Sequence, residues 1–396
     1  MVGAALACLL ARADETLSIA VLEARETPPF DPHQPFGVRV SAISRASMRI
    51  LTACGAWPSI ADVRVSPYRE MRVWDARGEP FGKGSVHFDS AELGEPDLGA
   101  IVENDLIQAM LARRLQTFPG VTWMAPVRLA GLEMTAEEAT AELEDGRRLR
   151  ARLVVGADGG GSATRSLAGI GVTGRNYGQH AVVANLRCEQ PHRETAWQRF
   201  LPTGPLAFLP LSDGRCSIVW STTPEHADEL LAMDSADFRA AVADGAGGVM
   251  GEISEASAPA AFPLRMQAAE RYTGERLALV GDAAHSVHPL AGQGVNLGFL
   301  DAAALAQVVE AAVAQGRDPG DLRVLRRYER WRKGENLAAM YAIDTIGRLF
   351  SNNSETLGNL RRVGLELVDA TPALKKEFIR RAMGVAGDLP GHARIR

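Results

Sequence analysis

The 396-residue sequence is poor in lysine and cysteine, and it has no excess of charge of either sign. Only four of its 43 basic residues are lysine, so a single arginine is weak evidence for an anion site. The four cysteines, Cys8, Cys54, Cys188 and Cys216, are far apart and form no C-x-x-C pair. This spacing argues against a disulfide framework or a metal site and fits a reducing cytoplasm. The net charge of −5 gives no basic character that would favour nucleic acid.

Long hydrophobic runs are also absent. The longest early run, residues 1–11, ends at Arg12 and is shorter than the roughly 20 apolar residues that span a bilayer. It lacks the basic start and the cleavage pattern of a signal peptide, and we expect no later stretch to be long enough to span a membrane. With 46% hydrophobic and 23% charged residues, the sequence is typical of a soluble globular enzyme of two or three domains.

Hydrophobic patterning divides the chain into an α/β part and a β-rich part. Apolar runs at 18–22, 153–156 and 277–280 stop at glycine or acidic residues, as buried parallel strands do. The runs between residues 181 and 221 are β-rich and are joined by turn residues, which predicts antiparallel strands. We therefore expect an α/β fold, in which a β-rich antiparallel domain interrupts a Rossmann-like nucleotide-binding domain. The expected boundaries are 1–60, 92–170 and 266–345 for the nucleotide-binding domain, 61–91 and 171–265 for the β-rich domain, and 346–396 for a C-terminal helical segment.

The first motif is Gly3 followed 20 residues later by Glu23. In dinucleotide-binding folds a glycine turn joins the first strand to a helix, and an acidic residue about 20 positions on holds the ribose. The first strand and the first two glycines of that fingerprint are missing before Gly3. A chance glutamate after an ordinary helix and strand explains this motif about equally well. If the strand is missing, two neighbouring ladder edges are expected to be unpaired.

The second motif runs from Leu153 through Asp158 and Gly159 to Ser162 and Arg165. A buried strand delivers Asp158 into a glycine turn, where backbone can approach a ligand closely. Ser162 is placed to cap the next helix. An Asp-Gly turn that simply closes a strand is the plainer interpretation, but the serine and arginine together favour a ligand site.

The third motif is the most specific. A hydrophobic strand ends in Gly281-Asp282, where a carboxylate can accept hydrogen bonds from a polyol such as ribitol. Pro289 then stiffens a loop in which Gly292 and Gly294 let backbone N–H groups converge at a helix that begins near Val295. Helix N-termini stabilise negative charge, and a reduced flavin carries such charge. A glycine loop before a core helix would not explain all of these residues in this order.

With these motifs in place, the sequence resembles the flavin-dependent aromatic monooxygenases of the para-hydroxybenzoate hydroxylase fold. More narrowly, it is similar to the ubiquinone-biosynthesis hydroxylase family. The resemblance covers nearly the whole chain. It rests on 39–44, 101–104, 198–202, 204–211, 217–220, 281–298 and 328–332. One departure is Asp105, which follows Asn104 where many relatives have a basic residue, so no role is transferred to it.

The resemblance implies FAD as the cofactor. It places Glu23 at the adenosine ribose, Asp282 at the ribityl chain, and Pro289 with the loop Gly292–Asn296 beside the isoalloxazine ring. The residues that it assigns to FAD are Gly3, Glu23, Arg39, Asp158, Gly159, Gly281, Asp282, Pro289, Gly292, Gln293, Gly294, Val295 and Asn296.

The reaction that the resemblance implies is hydroxylation of a polyprenylated phenol, through a flavin C4a-hydroperoxide formed with O2. NAD(P)H or a small electron-transfer protein would supply the electrons. No residue is required to act as acid or base, and His288 is the candidate for proton traffic if it does more than pack beside Pro289. Four residues would line or border the ring pocket if the β-rich domain covers the flavin, and each could equally be ordinary sheet core. They are Arg199, Phe200, Phe208 and Trp220.

A prenylated substrate implies access to membrane lipid. Basic residues alternate with Leu, Val and Phe over 361–381, which predicts either an interfacial helix or a solvated helix packed on the body. The expected location is the cytoplasm, with peripheral contact at the inner membrane face and a ubiquinone-biosynthesis complex as candidate partner. A flavin halogenase, a polyprenyl reductase or a non-catalytic member of such a complex are the alternatives.

Overall fold

The computed structural model describes residues 1–288, 292–350 and 355–394, with side chains within the tenth helix described from Val363 onward. The strands are β1 (Ile19–Leu22), β2 (Val40–Ser44), β3 (Ser66–Tyr68), β4 (Glu70–Asp75), β5 (Ser85–Asp89), β6 (Gly99–Glu103), β7 (Val121–Met124), β8 (Leu129–Met134), β9 (Ala139–Leu143), β10 (Arg148–Ala151), β11 (Val154–Gly156), β12 (Val172–Cys188), β13 (Thr195–Leu201), β14 (Gly204–Pro210), β15 (Cys216–Thr222), β16 (Ile253–Ala256), β17 (Ala260–Ala269), β18 (Thr273–Gly274), β19 (Leu277–Leu279) and β20 (His285–Ser286). The helices are α1 (Val2–Ala13), α2 (Arg45–Cys54), α3 (Trp57–Ala61), α4 (Asn104–Leu115), α5 (Ala163–Leu167), α6 (Pro224–Ala232), α7 (Ser235–Ala246), α8 (Gly294–Ala314), α9 (Leu322–Phe350), α10 (Glu355–Ala370) and α11 (Pro372–Ala382).

Two parallel strand pairs carry the predicted nucleotide-binding motifs. β1 pairs with β7, and β11 pairs with β19 in register Val154 to Leu277. Within the described ranges β1 and β11 each keep one unpaired ladder edge. Helix α1 is buried on most of its surface and packs against α8 and α4, as its apolar sequence predicts. The carboxyl ends of β11 and β19 lie side by side, so the second and third motifs emerge at one edge.

A nine-stranded, mostly antiparallel sheet forms the β-rich part. Its order is β20-β17-β12-β15-β14-β13-β4-β5, with β16 also paired to β12. The strands β4 and β5 precede the rest in sequence by about a hundred residues, and β4 joins β13 in parallel. One face of the sheet packs on α6 and α7, and the opposite face turns toward α9 and the nucleotide-binding motifs. These placements give the mixed α/β fold that the sequence predicts, while the domain boundaries stay a prediction.

Helix α8 is the central helix of the larger core. By length and composition it could cross a membrane, so the expectation that no later stretch is long enough was wrong. Two thirds of it is buried against α1, α2 and α9. An apolar core helix requires burial of this kind, because packing on several sides removes its non-polar surface from contact with water.

The last helices connect back to the β-rich sheet. On α10, Glu366 accepts a hydrogen bond from the Gly84 amide at 3.2 Å, and Asp369 accepts one from the His87 amide at 3.2 Å. On α11, the Lys375 ammonium lies 2.7 Å from Glu92. These contacts fix the C-terminal helices against the edge formed by β4 and β5.

Candidate functional site

A sharp turn presents Asp282 at the end of the buried strand β19. Gly281 has φ +58°, a left-handed conformation that L residues rarely adopt. The residues on either side of Asp282 are buried, whereas Asp282 itself is exposed to a cavity that it lines together with residues of α8 and of the β-rich sheet. Burial raises the pKa of Asp282, and the positive charges of His285 and Arg39 oppose that shift. The carboxylate is therefore available to a ligand.

A second carboxylate, that of Asp301 on α8, holds this turn from behind. Its Oδ2 atom accepts the His285 Nε2–H at 2.5 Å and the Gly281 amide at 3.2 Å. Its Oδ1 atom accepts Arg332 Nε and Asn336 Nδ2 from α9, both at 2.9 Å. Burial alone would favour the neutral acid, but His285 and Arg332 outweigh it and lower the pKa of Asp301 to about 2. The turn is thus fixed at both ends by a buried anion.

The glycine loop before α8 is tied to strand β2 through Asn296. The Asn296 amide donates to Ala42 O and Gly292 O, both at 2.8 Å, and its Oδ1 accepts the Ser44 amide at 2.9 Å. Gly292 has φ +59°, and a Cβ there would lie 3.0 Å from the Ala42 Cβ. Helix α8 begins at Gly294, one residue before the predicted start, with its N-terminal amides at the cavity.

The Asp158 turn sits beside the Asp282 turn. Asp158 accepts hydrogen bonds from the Ser162 hydroxyl and from the Thr164 amide, the latter at 2.9 Å, so its carboxylate is used to build the turn. Ser162 caps α5 as predicted, accepting the Arg165 amide at 3.0 Å. The Arg165 guanidinium donates to Ala283 O at 2.9 Å and thereby links the two turns. Gly159 lines the cavity, with φ +83° and open space where a side chain would stand.

The other residues predicted to bind the cofactor differ in whether they line the cavity. Arg39 lines it, beside Asn104, which accepts the Ser41 hydroxyl at 2.6 Å. Gly3 lies outside the lining, and a Cβ there would meet the Ala157 Cβ at 2.8 Å, so this glycine lets α1 approach β11. Glu23 follows β1 and is also outside the lining. Pro289 lies outside the described residues.

The cavity, of about 500 Å³, joins the two turns to the β-rich sheet. Asp282, Gly159, Arg39 and the loop Gly292–Val295 line one end. The other end is lined by one face of β13, β14 and β15. The side chains on that face are small or of moderate size. They are Ala196, Gln198, Pro205, Ala207, Leu209, Val219 and Ser221.

The four aromatic and arginine residues predicted for the ring pocket lie elsewhere on this sheet. Phe208 and Trp220 point to the opposite face, where they pack with α6 and α7. Arg199 also points away and donates to Gly245 O and Ala76 O, both at 3.0 Å. Phe200 shares the cavity face but stacks on Phe350, with ring centroids 4.0 Å apart. None of the four lines the cavity within the described part of the chain.

His288 is buried next to the loop and carries little positive charge at neutral pH. Its Nε2 atom lies 3.3 Å from Gln179 Oε1, and the Tyr177 ring packs edge-on against it at 4.8 Å. Burial lowers the pKa of His288 to about 4. A neutral imidazole can accept a proton only transiently at pH 7, so proton traffic through His288 stays a prediction.

Sequence reasoning missed two groups of residues. Asp301 was not singled out, although an acidic residue inside an apolar helix signals a buried charge that needs partners. The cavity-facing row with Gln198 and Ser221 was missed because alternation along a strand defines two faces without saying which one meets the ligand. Across the described ranges no cluster of three His, Cys, Asp or Glu residues is placed to hold a metal ion.

These observations fit a flavin nucleotide. Three features meet at one end of the cavity: the Asp282 carboxylate, the Arg39 guanidinium, and the N-terminus of a 21-residue helix behind two glycines. A carboxylate suits a polyol hydroxyl, and a helix N-terminus suits an anionic group. The left-handed glycines at 159 and 292 also let a ligand approach the backbone where a Cβ would intrude.

Comparison with known proteins agrees with this geometry. The family model described as "FAD binding domain" matches residues 1–339. The chain is 38% identical over 385 residues to 3-demethoxyubiquinol 3-hydroxylase of Escherichia coli, covering 97% of this chain and 96% of that one. It is 38% identical to ubiquinone hydroxylase UbiL of Rhodospirillum rubrum, covering 97% and 87%. The fold matches the crystal structure of p-nitrophenol 4-monooxygenase PnpA from Pseudomonas putida with a TM-score of 0.76 at 18% identity, covering 96% and 95%. The chain therefore belongs to the FAD-binding-domain family, and it is an FAD-dependent monooxygenase similar to the ubiquinone hydroxylases, as the sequence resemblance predicts.

Proposed function

We propose that this enzyme hydroxylates the aromatic ring of a polyprenylated phenol in ubiquinone biosynthesis. The observation that carries the proposal is a single cavity with two unlike ends. One end presents Asp282 and the N-terminus of α8, and the other presents the small residues of β13–β15. A flat ring suits the space between them because β13–β15 contribute small or moderate side chains there, while Tyr68 and Met71 are the larger side chains of the lining.

The role of each end follows from its chemistry. Bound FAD supplies the activation of O2 and the transfer of one oxygen atom to the ring, with NAD(P)H or a small electron-transfer protein as electron source. Asp282 and Arg39 bind and orient the cofactor, and the α8 amides stabilise negative charge on it. The apolar side chains that β14 and β15 present to the cavity, Ala207, Leu209 and Val219, exclude water from the reacting ring.

Expression in a bacterium that lacks its own ubiquinone ring hydroxylase tests the proposal. The wild-type gene should restore quinone synthesis, and Asp282→Ala should not, because the cofactor carboxylate is lost. Asp213→Ala is a matched control, since that carboxylate lies in an exposed turn and bonds only Arg215 in the described structure. Accumulation of the unhydroxylated precursor in cells that carry soluble, FAD-loaded wild-type protein would contradict the proposal.

We further propose that the C-terminal helices contact the membrane from which such a substrate is drawn. Four apolar side chains on α10 and α11 are exposed: Val363, Leu367, Leu374 and Phe378. The basic side chains beside them include Lys376, Arg380 and Arg381, whereas Lys375 is buried between Glu92 and Asp369. Arg381 also pairs with Glu377 at 2.7 Å. Apolar side chains interleaved with exposed basic ones suit an anionic lipid surface. The side chains of Arg361 and Arg362 lie outside the described residues.

Vesicle flotation tests this contact. Full-length protein with Leu367→Glu and Phe378→Glu should float less with vesicles that contain anionic phospholipid than the wild type does. Leu231→Glu is the control, because Leu231 on α6 is 40% exposed, as Phe378 is, and lies on the other face of the sheet. Equal flotation of all three proteins, or no flotation of the wild type, would contradict the membrane contact.

A further inference from the structure

The cavity face of the β-rich sheet contains two buried polar side chains, Gln198 and Ser221, that can form hydrogen bonds to a ligand. Gln198 is 6% exposed and Ser221 is 1% exposed, and both line the cavity. Within the described ranges neither side chain forms a hydrogen bond to the protein, and the polar atoms of both remain accessible from the cavity. A buried polar group that lacks a partner costs free energy, so such groups in a ligand cavity indicate that the ligand supplies the partner.

The strand register places these two residues on either side of an apolar platform. Gln198 on β13 lies opposite Ala207 on β14, and Ala207 lies opposite Val219 on β15. Ser221 is the next residue after Val219 on the same face. With strands about 4.8 Å apart and same-face residues roughly 6.8 Å apart, the Cα atoms of Gln198 and Ser221 are about 12 Å apart.

That arrangement matches a single aromatic ring with polar substituents. The ring would lie over the Ala207 methyl and the Val219 side chain, which are small enough to leave it space. The Gln198 side chain is long enough to reach inward from one side, and the Ser221 hydroxyl meets the ring from the other. An amide and a hydroxyl can each donate and accept, so they suit phenol and methoxy oxygens alike.

We infer that Gln198 and Ser221 are specificity-determining residues that bind the oxygen substituents of the substrate ring. This inference rests on the proposed function, which it extends by naming the groups that select among ring-oxygenated substrates. A site built around a hydrogen bond rejects an analogue that lacks the bonding atom much more strongly than an apolar site rejects a smaller analogue. The pair therefore favours electron-rich, oxygenated rings over bare prenylated benzenes.

Equilibrium dialysis of the holoenzyme against two probes tests the inference. One probe is a geranylated methoxyphenol, and the other is the same molecule with the phenolic O–H replaced by hydrogen. Gln198→Met keeps the length of the side chain without its amide, and Ser221→Ala removes only the hydroxyl. Loss of one neutral hydrogen bond corresponds to about a 2- to 12-fold weaker Kd. At least one variant should therefore weaken binding of the phenol by that factor and change binding of the deoxy probe less than twofold.

A matched control comes from Ser217, which is fully buried on the same face and the same strand but does not line the cavity. Ser217→Ala should leave both Kd values unchanged. FAD content and melting temperature should match the wild type in the variants used. The inference is overturned if neither variant weakens binding of the phenol, if both probes weaken equally, or if the variants lose FAD instead. Failure of the proposed function would give a different result. The wild-type holoenzyme would then form no hydroxylated product, even if the variants changed binding as expected.

Discussion

Asp301 and His285 form a fully buried pair, with Oδ2 and Nε2 2.5 Å apart, directly behind the turn that presents Asp282. The same carboxylate oxygen accepts the Gly281 amide, so one anion holds the first and the last residue of the turn. Its other oxygen is held by Arg332 and Asn336. The position of the Asp282 carboxylate therefore depends on Asp301, a residue 19 positions away that lies outside the cavity lining.

Replacing Asp301 should damage stability and cofactor binding together. Asp301→Ala removes the fully buried anion that pairs with Arg332 and His285 and leaves Arg332 only its contacts to Glu335 and Asn336, which costs about 3–5 kcal/mol of unfolding free energy. The freed turn should also lower the FAD-to-protein ratio of the purified enzyme. Urea unfolding and flavin absorbance measure the two effects.

Glu310, the other carboxylate of α8, provides the control. It is only partly buried and lies 3.4 Å from His392. Glu310→Ala should cost less than about 1 kcal/mol and leave FAD content unchanged. An Asp301→Ala protein as stable and as yellow as this control would refute the role of the buried anion.

The pH dependence of stability gives a separate test of Asp301. Because the folded-state pKa of about 2 lies below the ordinary 3.8, its ionised form stabilises the fold above pH 4. This contribution is lost as the pH falls from about 4 toward 2 and amounts to roughly 2 kcal/mol. Asp301→Asn should show a shallower loss of stability over that interval in urea titrations. Identical slopes in the two proteins would count against the assigned pKa.

His288 should also make the stability of the fold depend on pH, but over a higher pH interval than Asp301 and through a positive charge. Its folded-state pKa of about 4 lies below the ordinary 6.5, so the unfolded chain binds a proton there more readily than the folded protein does. Acidification from pH 6.5 to 4 therefore destabilises the fold, by roughly 3 kcal/mol for this group. His288→Gln should lose less stability over that interval, as measured by thermal melting at each pH. An unchanged pH profile would mean that His288 is not the buried neutral imidazole described above.

Gly298 should matter because α8 approaches the Asp282 turn at this residue. A Cβ there would lie 2.7 Å from Val2 Cγ2 and 3.2 Å from the Gly281 Cα, so Gly298→Ala must displace α8 from the start of α1 and crowd the turn. We expect about a tenfold weaker Kd for FAD, measured by flavin fluorescence on titration of the apoprotein. Gly334→Ala is the control, because that helical glycine has open space around it and alanine should stabilise α9 by up to ~1 kcal/mol. Equal FAD affinity in the two variants would show that the close approach is not needed.

The local structure of the second and third motifs was predictable because each combines a buried strand with a turn that only certain residues can make. Asp282 and the start of α8 near Gly294 follow from the glycines and the apolar run before them. The ring-pocket residues could not be derived in the same way. Phe208 and Ala207 are neighbours on one strand, and alternation puts them on opposite faces, but both faces of this sheet are covered. The large side chains fill the face against α6 and α7, and the small ones leave space for the ligand.

Incubation of the purified, FAD-loaded enzyme with a geranylated methoxyphenol, an electron donor and 18O2 tests the central claim most directly. Mass spectrometry should find one 18O atom in a newly hydroxylated ring, with formation of this product lost in Asp282→Ala and retained in Asp213→Ala. Consumption of O2 that yields only hydrogen peroxide, or a product without the label, would contradict assignment of this chain as a ring hydroxylase.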